Sequence, residues 1–165
     1  MGEVMGDAKP LWLDTEEQAT WLALTSVLIR LPAALDAQLQ RDAGISHFEY
    51  QVLAGLSMSP ERTLRMSELA DFAVGSLSRL SHTVKRLERQ GWVRRMPDPV
   101  DGRYTLAVLT GAGWEKVVAT APGHVAEVRR LVFTPLTKTQ QRQLRETGRR
   151  IDHTIGPDAP CPGGG

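Results

Sequence analysis

The chain is poor in the residues that catalysis and covalent cross-linking draw on. Its one cysteine, Cys161, lies in the stretch GPDAPCPGGG, whose proline and glycine content predicts a disordered tail over residues 156–165. An intrachain disulfide is impossible with one thiol, and a cytoplasmic setting is expected. Histidine is scarce, and His47, His82, His124 and His153 share no metal-ligand spacing. The sequence contains no G-x-S-x-G, no H-E-x-x-H and no phosphate-cradling glycine loop. These absences argue against an enzyme, and neither a cofactor nor a metal is expected. No unbroken run of about eighteen apolar residues occurs, so no membrane span is expected. The opening MGEVMGDAKPLW has no basic segment followed by an apolar one, which argues against a signal peptide. Gly6 stands where myristoylation needs Ser or Thr. No internal repeat is visible.

Charge of one sign is also lacking: the formal net is +1. The distribution is more informative. Residues 1–22 are acidic, with Glu3, Asp7, Asp14, Glu16 and Glu17 against Lys9. Residues 76–105 are basic, with Arg79, Lys85, Arg86, Arg89, Arg94, Arg95 and Arg103 against Glu88, Asp98 and Asp101. A basic patch in a near-neutral chain is a footprint for a polyanion. Residues 124–153 are comparably basic, so charge alone does not place the binding face. At 165 residues the chain can form one domain with a sizeable core, or a small domain with a helical extension.

What is present is a succession of helix signals. Residues 1–14 look loose. Thr15-Glu16-Glu17-Gln18 reads as a capping box, opening a helix to about residue 43. Its stripe of Trp21, Leu24, Leu28, Leu31, Leu35 and Leu39 is longer than a local core needs, which implies packing on a partner helix. Pro32 removes one ladder bond and predicts a kink. After Gly44, Ser46-His47-Phe48-Glu49 is a second capping box, for a helix to about residue 58 with Phe48, Val52, Leu53 and Leu56 inward. Residues 59–62 form a connection. Ser67 is expected to cap a short helix over residues 68–73, and Val74-Gly75 to turn the chain into Ser76. From there Leu77, Leu80, Val84 and Leu87 share one helical face, and Gly91 stops the helix. Strand candidates at residues 92–96 and 103–109 flank the turn-forming Pro97-Asp98-Pro99-Val100-Asp101-Gly102. Thr110 caps a further long helix, expected to bend at Pro122-Gly123, whose apolar face continues through Val125, Val128, Leu131 and Val132. Pro135 ends it. Thr137-Lys138-Thr139-Gln140 opens the last helix, with Leu144, Gly148, Ile151 and Ile155 on one stripe.

Two helices on a short turn, then a charged hairpin, is the order of a winged helix-turn-helix. The expected fold is mainly α (α+β), with residues 44–110 as the DNA-binding unit. Residues 15–43 and 111–155 supply a helical dimerisation region. The N-terminal half of a recognition helix meets base edges in the major groove. That assigns Ser76, Ser78, Arg79, Ser81 and His82 as readers, with Arg79 able to pair with guanine. Lys85, Arg86 and Arg89 lie further along, where phosphates are expected. Arg103 on the wing is expected to enter the minor groove, oriented by Asp101 through a charge-assisted hydrogen bond. Two such units about a two-fold axis read a near-palindrome in double-stranded DNA. The alternative is a winged helix used only for protein contacts, which could dispense with Arg79 and the Asp101–Arg103 pair.

The segment MSELADFAVGSLSRLSHTVKRLERQGWVRRMPDPVDGRYTLAVLTGAG resembles the winged-helix core of the MarR family of bacterial transcriptional regulators. Asp101-Gly102-Arg103, followed by Leu109-Thr110 and Gly113, is similar to the family's wing signature, and the resemblance extends over about residues 15–155. It implies the same DNA roles for Asp101 and Arg103, and a homodimer joined through the terminal helices. It also implies a repressor relieved by a small, often aromatic or phenolic, effector bound between the dimerisation and DNA-binding parts. Trp21, His47, Tyr50 and His124 lie on helices that would line that cleft. Thiol-based peroxide sensing needs a reactive cysteine on the first helix, and none is there. The chain departs from the family at Val74, where a turn glycine is expected, and at Leu77, where proline often opens the recognition helix.

Overall fold

The computed structural model describes residues 12–156. Residues 1–11, Cys161 and most of the expected tail lie outside that range. The elements in order are α1 (Thr15–Ala43), α2 (His47–Met58), a tight turn at Pro60–Arg62, β1 (Thr63–Arg65), α3 (Met66–Phe72), α4 (Leu77–Arg89), β2 (Val93–Pro97), β3 (Thr105–Leu109), α5 (Gly111–Val128), a π-helical segment Arg129–Phe133, and α6 (Lys138–Ile155). The three strands form one antiparallel sheet in the order β1-β3-β2. This is the winged helix-turn-helix with long terminal helices that the sequence predicts.

Local chemistry sets most boundaries. Ser46 accepts from the Glu49 N–H (3.1 Å) while the Glu49 carboxylate accepts from the Ser46 N–H (2.7 Å). Thr110 caps α5 through Gly113 and Thr137 caps α6 through Gln140. The first capping box sits one residue earlier than expected: Asp14, not Thr15, is the N-cap, and it pairs reciprocally with Glu17. A carboxylate accepts from the orphan N–H more strongly than a hydroxyl, so the start shifts to Asp14. Ser67 is not a cap either. Arg65 occupies that position, with its N–H bound by the Glu68 carboxylate at 3.0 Å.

The helix-turn-helix turn falls at Val74-Gly75 as expected. Val74, at the position where a turn glycine is expected, takes the left-handed conformation, at φ 49°. That is unusual for a β-branched residue. Gly75 is needed for another reason: the Phe48 ring lies where its Cβ would stand.

The core is built by α2, α3, α4 and β3, joined by the C-terminal end of α1. Leu39, Val52, Leu53, Leu56, Leu69, Leu80, Val84 and Leu87 are fully enclosed. Leu77 is the exception to the expected α4 face. It is exposed, and Thr83 is buried beside Leu80, Val84 and Leu87. The end of α4 is tightly fixed. Gly91, at φ 74°, lets the Trp92 N–H reach the Leu87 carbonyl (3.0 Å) and its own N–H reach Glu88 (2.9 Å). The start of α5 then seals this corner. The Thr110 hydroxyl donates to the Gly91 carbonyl (2.6 Å) and its N–H to the Trp92 carbonyl (3.0 Å). Gly113 packs so close to the Trp92 carbonyl that a Cβ would overlap it.

The terminal helices contrast with this core. α1 runs without a break through Pro32 and buries only Leu35, Gln38 and Leu39. Trp21, Leu22, Leu28 and Ile29 are exposed, and α6 has no buried residue. One 18-residue stretch of α1 even reaches the length and mean hydropathy (1.3) of a membrane span. Its C-terminal end, however, is packed into the core just described. α5 also passes through Pro122-Gly123 as one helix; the irregularity comes later, in the π-helical Arg129–Phe133.

Candidate nucleic-acid interface

Recognition-helix geometry follows from the α4 pattern. With Leu80, Thr83, Val84 and Leu87 buried, the opposite face carries Ser78, Arg79, His82, Lys85, Arg86 and Arg89, all exposed. Ser76 is the N-cap and accepts from the Arg79 N–H at 3.2 Å, and Ser81 is half-buried at the edge. The Arg79 guanidinium lies over the Phe48 ring, 4.0 Å from its centroid. Such stacking holds the planar head in place while leaving its N–H edge open.

The cations fall into two groups. Lys85, Arg89 and Arg94 have no ion-pair partner among the described residues. Arg86 is held by Glu49 of α2 at 2.9 Å, and Arg95 by Glu88 through two side-chain bonds of 2.8 and 3.0 Å. Arg95 and Arg86 are thus partly neutralised within the protein. The Arg95 guanidinium, and after it the Arg95 backbone N–H, hold the Glu88 carboxyl below its usual range.

At the wing, the Asp101 carboxylate takes both edges of Arg103, at 2.9 Å from Nε and 2.7 Å from Nη2. The pair lowers the Asp101 pKa and raises that of Arg103. Arg103 is 84% exposed while gripped this way, so its direction is set without burying its charge. A second pair behind it was not legible from the sequence. Asp98, only 7% exposed, meets the Arg65 guanidinium at 2.9 and 3.0 Å. The Val100 N–H, and then Arg65, lower the Asp98 pKa.

Three of the four residues assigned to an effector cleft come together where α1, α2 and α5 meet. The His124 ring stands 4.5 Å from Tyr50 and 6.0 Å from His47, centroid to centroid. Burial lowers the pKa of both histidines; at His47 Asp36 opposes it, and at His124 the neighbouring His47 adds to it. Burial raises the Tyr50 pKa. Gln38 and Asp36, which carry no motif or spacing that singles them out, complete the cluster. Gln38 Nε2 donates to Asp42 (2.9 Å), which turns its carbonyl toward His124 Nδ1 (3.2 Å); Nδ1 is therefore the protonated nitrogen. Asp36 accepts from the His47 backbone N–H at 2.7 Å. Trp21 stands apart, exposed and roughly 20 Å up α1 from Asp36 at helical rise.

The comparisons with known proteins converge on one group. The MarR family model matches residues 45–105, which span the core of the winged unit. The structure is similar to that of Sco3205, a MarR family transcriptional regulator from Streptomyces coelicolor in complex with DNA. The TM-score is 0.87 and the identity 47%, over 92% of this chain and 95% of that one. AbsC, a MarR family transcriptional regulator from the same organism, gives a TM-score of 0.83 and 35% identity over 88% of this chain and 97% of its own. The HTH-type transcriptional regulator YdcH of Bacillus subtilis (strain 168) is 30% identical over 80 residues. That match spans 47% of this chain and 54% of YdcH. Likeness over nearly two whole chains, with a family match centred on the helix-turn-helix and wing, settles membership: the chain belongs to the MarR family of transcriptional regulators.

Proposed function

We propose that the chain is a homodimeric, sequence-specific double-stranded DNA-binding repressor, released from its operator by a small molecule. The observation that carries this reading is the pairing of an exposed cationic face on α4 with an exposed wing arginine held in a fixed direction. A basic helix face fits the major groove, and a directed guanidinium suits the narrower minor groove. In this reading Ser76, Ser78, Arg79, Ser81 and His82 meet bases. Lys85 and Arg89 meet phosphates, and Arg86 does so only by sharing its charge with Glu49. Asp101 aims Arg103.

Residues 44–110 act as the DNA-binding unit, and residues 15–43 and 111–155 as the dimerisation region. The exposed apolar positions of α1 and α6 support that division, because two-fold pairing would bury them. The effector, an aromatic or phenolic molecule, is assigned to the His47–Tyr50–His124 junction, where movement would change the angle between arm and winged unit. A cytoplasmic location follows from a chromosomal target.

The test is a selection of genomic DNA fragments on purified protein at physiological salt. Enrichment of a near-palindrome with half-sites about one helical turn apart supports the reading. No enrichment, at concentrations where the protein is dimeric, overturns it. Arg79→Ala is expected to relax preference at one base-pair position in each half-site, visible when the selection is repeated.

A further inference from the structure

Resting on the wing reading above, the geometry points to Arg65 and Asp98 as positioning residues. This ion pair, 33 residues apart in sequence, joins the wing to the helix-turn-helix and sets where Arg103 meets DNA.

Arg65 ends β1 and is also the N-cap of α3. It therefore belongs to the backbone that leads directly into the helix-turn-helix. Its guanidinium reaches across the sheet to Asp98 and lies over the Tyr104 ring, 4.3 Å from the centroid. It thus touches both ends of the wing loop. Asp98 follows β2 directly and organises the loop from within. Its Oδ1 accepts from the Val100 N–H (2.9 Å) and the Asp101 N–H (3.4 Å), leaving Oδ2 for Arg65. The Asp98 N–H closes the loop on the Tyr104 carbonyl at 2.9 Å. Asp101, its backbone placed by this carboxylate, then grips Arg103. The order of control is Arg65, Asp98, the Asp101 backbone, the Asp101 carboxylate, Arg103.

A surface loop does not need a buried carboxylate to be soluble or closed; main-chain bonds suffice for a hairpin. A carboxylate enclosed to this degree normally demands full pairing, and here each partner fixes a different part of the wing. The ion pair does not contact DNA in this scheme. It holds Arg103 at one distance from α4, so that groove and wing contacts form together.

The experiment is a double-mutant cycle in DNA affinity, read by fluorescence anisotropy. The probe is a labelled random-sequence duplex of about 30 base pairs, roughly three helical turns, at about 50 mM salt, where phosphate contacts dominate. Six proteins are compared: native, Asp98→Asn, Arg65→Gln, Arg103→Ala, and the two double variants that combine Arg103→Ala with Asp98→Asn or with Arg65→Gln. Arg65→Gln, altered at the more exposed partner, serves as a second probe of the pair. Circular dichroism melting establishes that each is folded at the assay temperature.

Arg103→Ala is expected to weaken binding about tenfold, the effect of one lost charge-assisted contact. Asp98→Asn and Arg65→Gln should each weaken native protein about fivefold, yet change the Arg103→Ala protein less than about twofold. Equal weakening with and without Arg103 would mean the pair acts through general folding, and overturns the proposal. So would unchanged affinity in Asp98→Asn and Arg65→Gln. Unchanged affinity in Arg103→Ala alone instead removes the wing reading beneath it, and is seen separately in that single variant.

Discussion

α2 and α6 both carry apolar residues at helical spacing, yet α2, rich in them, encloses Phe48, Tyr50, Val52, Leu53 and Leu56, while α6, mostly polar around Leu144, Ile151 and Ile155, encloses nothing. The same difference divides α1 along its length: Leu35 and Leu39 are buried, Trp21 and Leu28 exposed. A stripe at helical spacing says only that a surface will be covered. Whether its own chain covers it depends on what the fold brings near. The winged unit encloses its own core, whereas the exposed apolar positions of α1 and α6 have no covering element among the described residues.

Substitutions of the same kind in both regions sharpen that contrast. Leu53→Ala should destabilise the fold by about 2–5 kcal/mol, measured by urea unfolding. Leu144→Ala, at a residue 54% exposed, should cost little in a dilute protomer and weaken self-association instead. A concentration-independent loss for Leu144→Ala would break the comparison. Glycines offer a second pair. Gly113→Ala drives a methyl into the Trp92 carbonyl and should cost about 3 kcal/mol. Gly148, with nothing within 4 Å of an added Cβ, should gain up to about 1 kcal/mol from alanine. If Gly148→Ala instead impairs association by sedimentation, a second helix approaches there. Val74→Gly, relieving the left-handed valine, should raise stability by about 1 kcal/mol.

The smallest effect is electrostatic and lies at the seam between the regions. His47 and His124 have lowered pKa values, so the unfolded chain binds protons more readily than the folded one. Stability is therefore complete above the ordinary histidine pKa and is lost as pH falls below it. Thermal melts between about pH 7.5 and 5.5 should show a falling midpoint. His124→Gln should reduce that fall. The carboxylates held low by their partners, Glu88 and Asp98 among them, contribute in the opposite range, nearer pH 4 and below.

The sequence spoke most clearly where the determining interaction was local, although two local caps, Asp14 with Glu17 and Arg65 with Glu68, sit one and two residues before the expected Thr15 and Ser67. The caps at Ser46, Thr110 and Thr137 each involve a partner three residues away. The α4 stripe and the wing signature are similarly short in range. Legibility failed where partners are remote. β1 is three residues long without a pattern of its own, and exists because Thr63–Arg65 pairs with Leu106–Val108. Arg86 reads as a free cation until α2 places Glu49 beside it. Asp98 reads as a turn residue until Arg65 arrives across the sheet. Among effector-cleft candidates, His47, Tyr50 and His124 meet because α5 crosses α2, while Trp21 was grouped with them only by element. The left-handed backbone at Val74 is legible only from the family's turn glycine at that position, since a valine by itself opposes that conformation.

The seal between α4 and α5 gives the molecule a mechanical property. Through Thr110, Gly91 and Trp92, the last turn of α4 is bonded to the first turn of α5, with Gly113 leaving no slack. α5 has 18 residues and is about 27 Å long at helical rise. It works as a stiff lever with its short end at the recognition helix and its long end among the arms. A tilt of about 5° displaces the far end by roughly 2 Å, the scale of helix shifts that separate functional states. Motion imposed at the arms therefore reaches the DNA-facing surface as rotation, with little lost in a compliant joint.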